Sequence, residues 1–238
     1  MRLVISQPMY FPWYGHLEQL LAADTYVFYD DVQFSKGSFT NRVQLLIGGI
    51  QHWLTVPVRL PRAPILIQDV LVNDHQDWKL SHLRKFHSAY RNAPYLADAV
   101  RLLESVFSSE SSSLCSIAMD SVQYLATYFG LAESIQFLKS SDLAIGGAGS
   151  ERVLAICSHL HASDYITGHG ARNYLDHLSF EAAGVDVHYI DYGLAPYRQL
   201  SETFIPYVSS LDLVAMLGKE GRSVIGGTVV KWQQFITR

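Results

Sequence analysis

Two hydrophobic periods alternate along the chain, and the switches between them mark out strands and helices. Leu3–Ser6 is strand-like and is stopped by Gln7-Pro8. Trp13, Leu17, Leu20 and Leu21 then recur at helical spacing, giving about two to three turns of helix. Thr25–Tyr29 follows as a second strand, so the chain opens strand–helix–strand, which predicts parallel strands joined by a right-handed crossover. Asp30–Thr40 is polar and contains glycine, as loops do. Trp53–Val58 predicts another strand, with Pro57 near its end and Pro61 just beyond.

From Trp78 to Phe129 the pattern is mostly helical. Leu83, His87 and Tyr90 share a face, and Pro94 suits the first turn of the next helix. Leu114, Ile117, Ala118, Val122, Leu125 and Phe129 form a stripe that Gly130 closes as a C-cap. The α/β rhythm then returns. Ser134–Leu138 is a strand and Gly146–Gly149 a flexible loop. Ser150 can cap a helix that turns Val153, Leu154, Cys157 and Leu160 inward. Tyr165–Thr167 is a strand, Gly168–Asn173 a loop, Tyr174–Ala183 a helix with Asp176 in its first turn, and Val187–Asp191 a strand. Ser209-Ser210-Leu211-Asp212 has the form of a capping box for a last helix through Leu217. The expected architecture is one α/β domain over residues 1–238, a parallel sheet with flanking helices, with residues 76–130 as a mainly helical insertion.

Composition narrows the function classes. The 238 residues are 49% hydrophobic, enough for a large core, and 18 Lys+Arg stand against 22 Asp+Glu. A net charge of −4 argues against a broad nucleic-acid or anionic-membrane surface. No apolar run approaches the ~20 residues of a membrane span, and the first apolar stretch is broken too soon for a signal peptide. A cytoplasmic protein is expected. Cys115 and Cys157 sit in apolar helical patterns without CxxC spacing, as buried small hydrophobes do.

Four stretches could carry chemistry, and for each a purely structural or solvated role is the competing reading. The first turn holds Gln7, Tyr10, Trp13 and, at the helix start after Gly15, His16. In an open parallel sheet, ligands bind outside the carboxyl ends of strands, where such turns lie. Asp30 and Asp31 follow the second strand, with Gln33 beyond. Adjacent carboxylates on an extended chain point to opposite sides, so one of them would enter a pocket to bind an amine or take its proton. Lys36, Asn41 and Arg42 are interleaved with Gly and Ser in a way that suits phosphate or carboxylate recognition. In Gly168-His169-Gly170-Ala171-Arg172-Asn173-Tyr174, backbone donors, an imidazole and a guanidinium follow a strand, a mixture that fits a phosphate or an oxyanion. This loop and the first turn are expected to line one pocket. Asp191-Tyr192 and Tyr197-Arg198-Gln199 are a weaker candidate. His82 and His87, five apart, do not share a helix face, and no metal site is expected.

The same residues resemble a bacterial family, the WbqC-like proteins. The likeness runs through Ile5-Ser6-Gln7-Pro8, Phe11-Pro12-Trp13-Tyr14-Gly15, Tyr29-Asp30-Asp31-Val32-Gln33-Phe34, Asn41-Arg42, Trp53-Leu54-Thr55-Val56-Pro57-Val58, Tyr165-Ile166-Thr167-Gly168 and Ala171-Arg172-Asn173-Tyr174-Leu175-Asp176. It implies a part in bacterial surface-polysaccharide biosynthesis, attaching glycine or another acyl unit to an amino sugar. The opening also looks like the start of the nucleotidyltransferase (HUP/Rossmann-like) fold of pantothenate synthetase. Enzymes of that type carry two histidines around the equivalent glycine and adenylate a carboxylate. Here only His16 matches, and Trp13 stands at the earlier position. A pre-activated acyl thioester, on coenzyme A or on an acyl or peptidyl carrier protein, would need no ATP site.

The expected function is therefore N-acyl or N-aminoacyl transfer to an amino-sugar nucleotide, with His169, Asp31 and His16 catalytic. Asp31 or Asp30 would take the amine, while Arg172 and the backbone around Gly168 and Gly170 would hold phosphate or oxyanion. The alternatives are an ATP-dependent ligase or nucleotidyltransferase, and a non-catalytic module that binds a nucleotide sugar or a carrier protein.

Overall fold

The computed structural model describes residues 1–75 and 77–237. Gln76, where the helical insertion was expected to begin, lies outside the described residues, as does Arg238. The chain opens with β1 (Arg2–Ser6), α1 (Tyr14–Ala22) and β2 (Thr25–Phe28), and β2 lies parallel to β1 from Leu3↔Thr25 to Ser6↔Phe28. Leu3, Val4 and Ile5 are all buried. Such an unbroken apolar run marks a strand covered on both faces.

After β2 the chain leaves the sheet. It forms a hairpin of β3 (Arg42–Ile47) and β4 (Ile50–Thr55), then a short ribbon of β5 (Val58–Arg59) with β6 (Leu71–Val72). Gly48 and Gly49 make the hairpin turn at φ +59° and +79°, the left-handed pair that a tight two-residue turn requires. Three helices follow: α2 (Trp78–Ala89), α3 (Leu96–Phe107) and α4 (Leu114–Tyr128). The strand expected over Trp53–Val58 is split: its first three residues end β4, Val56 and Pro57 break it, and Val58 begins β5, both in ribbons apart from the main sheet. The excursion holds β-ribbons as well as helices. Helix α3 starts two residues beyond Pro94, with Tyr95 as its N-cap. Gly130 follows α4 at φ +65°, as expected of a glycine closing a helix.

The sheet resumes with β7 (Gln136–Lys139) beside β2. Then come α5 (Ser140–Leu143), α6 (Gly149–His159), β8 (Asp164–Thr167), α7 (His177–Ala182), β9 (Asp186–Asp191), α8 (Ser210–Leu217), β10 (Thr228–Lys231) and α9 (Trp232–Ile236). Spatial order is β10-β9-β8-β1-β2-β7, with β10 antiparallel and the other neighbours parallel. Numbered by their turn in the chain, these six strands read 3-2-1-4-5-6 from the β7 edge. That is the Rossmann-like order, in which the direction of winding reverses between β1 and β8.

Alternate residues feed two cores. Val4, Tyr26 and Phe28 pack with Leu17 and Leu20 of α1 and with α4 and α8. Leu3, Ile5 and Val27 pack with Val153, Ile156 and Cys157 of α6 and with Phe180 and Phe235. Both cysteines are free and buried, and burial pushes each thiol up to about 12. Two capping assignments change. Ala148, rather than Ser150, is the N-cap of α6, and Ser150 Oγ instead accepts from the Asp176 amide at 2.8 Å. Asp176 is the N-cap of α7, its carboxylate accepting from Ser179 N. The terminal pair β10–α9 was not anticipated. Among the described residues no helix is long and apolar enough to cross a membrane.

Candidate functional site

A cleft of about 700 Å³ opens at the carboxyl edge of the sheet, where the winding reverses. Gln7 and Met9 reach it from the end of β1, Tyr29, Asp31 and Gln33 from the end of β2, and Thr167, Gly168, Gly170 and Tyr174 from the end of β8. The first turn and the Gly168 loop thus bound one space, although they lie far apart in sequence. The first turn is pinned from behind: Ser209 Oγ donates to Phe11 O at 2.8 Å and Ser210 N to Pro12 O at 2.8 Å. The Ser209-Ser210 pair therefore caps α8, with Ser209 Oγ accepting from Leu211 N, and anchors the turn as well.

A fourth wall comes from Gly147-Ala148-Gly149 and Arg152 at the start of α6. Gly147 and Gly149 have φ of +100° and +57°, conformations that a side chain would strain. Ala148 offers no side-chain cap, so the first amides of α6 lie at the cleft without a side-chain acceptor at the N-cap. Arg152 pairs with Asp31 and donates from Nε to Ile145 O at 2.9 Å, with its guanidinium 5.0 Å from the Tyr29 ring centre. Asp31 also accepts from Ser140 Oγ. Burial raises the phenols of Tyr29 and Tyr174, keeping both as neutral donors. Among the described residues lining the cleft, Asp31 is the one carboxylate and Arg152 the one cation.

The other residues singled out in the sequence lie elsewhere. His16 is buried in α1 with Nε2 2.8 Å from Tyr26 Oη, and burial lowers it to about 4. The nucleotidyltransferase likeness draws no support from it. Tyr10 is buried against His82 Nδ1 at 3.0 Å. Trp13 packs edge-on to Tyr207 and beside Tyr192, both at 5.0 Å between ring centres. Asp30 is buried and bound by Ser141 N at 3.0 Å and Ser141 Oγ at 2.7 Å, so it anchors α5. Asn41 Nδ2 donates to Val56 O at 3.1 Å, Arg42 stacks on Trp53 at 3.9 Å, and Lys36 is exposed. None of these lines the cleft.

The same is true of three members of the Gly168 loop. His169 Nε2 lies 2.8 Å from Ile190 O, and its ring packs on Phe235 and Tyr192. Arg172 donates to Ile236 O at 3.0 Å, and Asn173 is exposed. The glycines face the cleft while the imidazole and guanidinium face the β9–α9 side. That division follows from the loop forming 3-10 turns over His169–Asn173 rather than an open arc.

Sequence reasoning missed Arg152 and Gln19 as lining residues, and it held Tyr29 and Thr167 only within longer stretches. Arg152 was overlooked because its neighbours Val153 and Leu154 carry the apolar stripe of α6. The Gly146–Gly149 loop ahead of a helix is the signal that could have found it. Gln19 is buried in α1, and its Nε2 donates to Tyr192 Oη at 3.3 Å.

A model of the WbqC-like protein family matches residues 7–224. The uncharacterized protein Rv1507c of Mycobacterium tuberculosis is 29% identical over 222 residues, which cover 92% of this chain and 95% of the relative. No solved structure matches.

Proposed function

The chain belongs to the WbqC-like family, and on that premise we propose that it transfers an acyl or aminoacyl group to the amine of an amino-sugar nucleotide held in the cleft between β1 and β8. The observation that carries this reading is the place of Asp31, the one carboxylate among the described residues lining the cleft, beside the glycine-flanked start of α6 to which Arg152 ties it. Helix amino ends with close glycine backbone favour phosphate, so the diphosphate goes to Gly147–Gly149. Tyr29 and Tyr174 flank the nucleoside or sugar with flat faces and phenolic donors. The sugar ammonium goes to Asp31.

In the transfer, Asp31 takes a proton from the ammonium and the freed amine attacks the thioester carbonyl. Donors at Thr167 and the Gly168–Gly170 backbone stabilise the tetrahedral oxyanion. The C–N amide bond forms and the C–S bond breaks; of the two protons that leave the nitrogen, the departing thiolate takes one by way of Asp31 and the other passes to solvent. No imidazole is required.

A second reading, a non-catalytic nucleotide-sugar binding module, is favoured by one observation. Asp31 already holds Arg152 and Ser140 as partners, so an incoming ammonium would have to compete with them for its carboxylate. Thermal unfolding with UDP-amino sugars, ATP and coenzyme A thioesters tests binding, because a ligand at a hundredfold excess over Kd stabilises by about 2.7 kcal/mol. Mass spectrometry of the sugar nucleotide then tests transfer. Stabilisation with amide product supports the transferase, and Asp31→Asn should lower turnover at least a hundredfold. Stabilisation without product under any donor supports the module. AMP release with ATP would replace the thioester by an adenylate. An Asp31→Asn protein turning over at the parent rate would sink the assignment.

A further inference from the structure

One wall of the cleft differs in charge from the rest of the molecule. Residues 32–68 contain four of the 18 Lys+Arg, namely Lys36, Arg42, Arg59 and Arg62, and none of the 22 Asp+Glu. The chain as a whole is net negative, so this segment is a basic island on an acidic protein. It forms the β3–β4 ribbon, β5 and the loops around them. An antiparallel bridge between Gln33 and Leu66 brings the Lys36 loop alongside the Arg62 loop.

The island is also apolar where it meets solvent. Ile50 is 66% exposed, Trp53 42%, Phe39 40% and Leu66 38%. Phe39 and Trp53 touch, with ring centres 5.8 Å apart, and Arg42 lies under the Trp53 ring. Phe39 and Leu66 line the cleft as well, so this surface runs without a break into the mouth of the site.

The ribbon has one open edge. Its two-residue turn pairs Ile47 with Ile50, and hydrogen-bonded pairs then recur at every second residue. Gln44 and Leu46 on β3, and Gln51 and Trp53 on β4, therefore turn their backbone groups outward. On β3 these groups are used: Gln44 O accepts from Ser209 N at 2.8 Å, and Leu46 N donates to Tyr90 Oη at 3.2 Å. On β4, among the described residues, no backbone partner outside the ribbon meets Gln51 or Trp53. Natural edge strands usually carry a lysine, a proline or a bulge that blocks pairing. Ile50-Gln51-His52-Trp53 carries none of these.

We propose that the β3–β4 ribbon and its flanking loops dock an acidic carrier protein, which presents its acyl thioester on a flexible arm to the cleft. This rests on the transferase reading and names the source of its donor. Charge decides the occupant. A second copy of the chain would set one basic island against another, and like charges so placed oppose association. An acidic partner is steered toward the island, and the apolar rings at its centre supply the buried contact. Continuity with the mouth explains why the partner belongs here: a group tethered to a protein seated on Phe39 and Leu66 enters the cleft directly. An anionic membrane is the rival surface. It calls for several protruding anchors, whereas of Ile50, Phe39, Trp53 and Leu66 only Ile50 has more than half of its surface exposed.

The test measures fluorescence anisotropy of a labelled, acidic holo-acyl carrier protein charged with a glycyl thioester, titrated with the full chain. Two variants probe the surface: Arg59→Glu with Arg62→Glu, and Trp53→Ser. Circular dichroism and thermal unfolding check that each stays folded, and binding of a UDP-amino sugar is measured in parallel. The expected result is saturable binding that weakens with added salt and falls at least tenfold in each variant, with sugar-nucleotide affinity unchanged. Carrier binding that ignores both variants, or no carrier binding at all, overturns the proposal. So does binding to phosphatidylglycerol vesicles in place of the carrier, or a salt-resistant dimer in sedimentation that Trp53→Ser dissolves. Should the carrier bind as expected while no sugar nucleotide binds, the docking surface stands and the acceptor assignment falls.

Discussion

Arg152, in the first turn of α6, closes on the carboxylate of Asp31 just past β2, joining two cleft walls 121 positions apart in sequence. The two side chains are only 7% and 15% exposed. Removing one member of such a pair leaves the other charge buried, which costs about 3 kcal/mol or more. Arg152→Met should therefore lower unfolding free energy in urea by roughly that amount. Asp31→Asn leaves the more buried Arg152 guanidinium without its counter-charge and should cost a similar amount. Combining Arg152→Met with Asp31→Asn should recover part of the loss. Strictly additive costs would show that the two side chains do not depend on each other.

His169 calls for a different expectation from the one its glycine-flanked sequence suggests. A carbonyl only accepts, so the 2.8 Å contact to Ile190 O requires a proton on Nε2. The ring meanwhile packs 4.7 Å from Phe235. His169→Ala should cost about 1–2 kcal/mol of stability through the lost hydrogen bond and packing, and leave sugar-nucleotide affinity within several-fold. A folded His169→Ala protein with parent stability but a hundredfold loss of turnover would return the imidazole to the chemistry.

The contrast between His169 and Gly168 shows what could be read from sequence. The strand–loop–helix placement followed from periodicity, as did the meeting of the two loops, because parallel strands put their carboxyl ends on one edge. The direction of each side chain did not follow. His169 turns away because the loop winds into 3-10 turns, and His16 turns inward because the phase of α1 sets it against Tyr26. Arg152 was hidden for the opposite reason. Its neighbours satisfy an apolar stripe, and its partner Asp31 lies too far along the chain for any local pattern to reveal the pair. The β3–β4 hairpin had its own signal in Gly48-Gly49. Its separation from the sheet depends on contacts with Ser209 and Tyr90, which no local pattern carries.

Gly15 is needed for space rather than for backbone freedom. A methyl group at this position would sit 2.1 Å from the Trp13 ring, which lies over the start of α1. Alanine favours a helix over glycine by about 1 kcal/mol, so a gain would be expected if the site were open. The clash instead predicts a loss of about 1–3 kcal/mol, with a shift in tryptophan emission as Trp13 leaves Tyr192 and Tyr207. Gly146 serves as the control, because nothing lies within 4 Å of an added methyl there. A stabilised Gly15→Ala protein would mean that the ring moves aside freely.

Between pH 4.5 and 6.5 stability should depend on pH chiefly through His16, His82 and Glu18, buried groups whose shifts are large and opposite in effect. Burial lowers His16 and His82 to about 4, while Tyr26 Oη and Tyr10 Oη hold their rings at 2.8 and 3.0 Å. Between pH 4 and 6.5 the unfolded chain takes up protons at these two sites and the folded chain does not, so acidification destabilises. Each histidine contributes about 1.4 kcal/mol per pH unit. Glu18 acts the other way. Burial raises it to about 7, an effect that the amides of Gly226, Gly193 and Gly227 only partly offset. Above pH 4.5 the folded protein keeps a proton that the unfolded chain has released, so raising the pH toward 7 destabilises. Over pH 4.5–6.5 Glu18 therefore cancels roughly one histidine, leaving a net loss of about 1.4 kcal/mol per unit on acidification. Glu18→Gln removes the opposing contribution and should steepen the slope to roughly 2.7 kcal/mol per unit. His82→Gln should bring it close to zero. Urea midpoints at pH 5 and pH 6.5 for the parent and both variants measure these slopes. A Glu18→Gln slope equal to the parent's would show that Glu18 is ionised in the folded protein throughout this range.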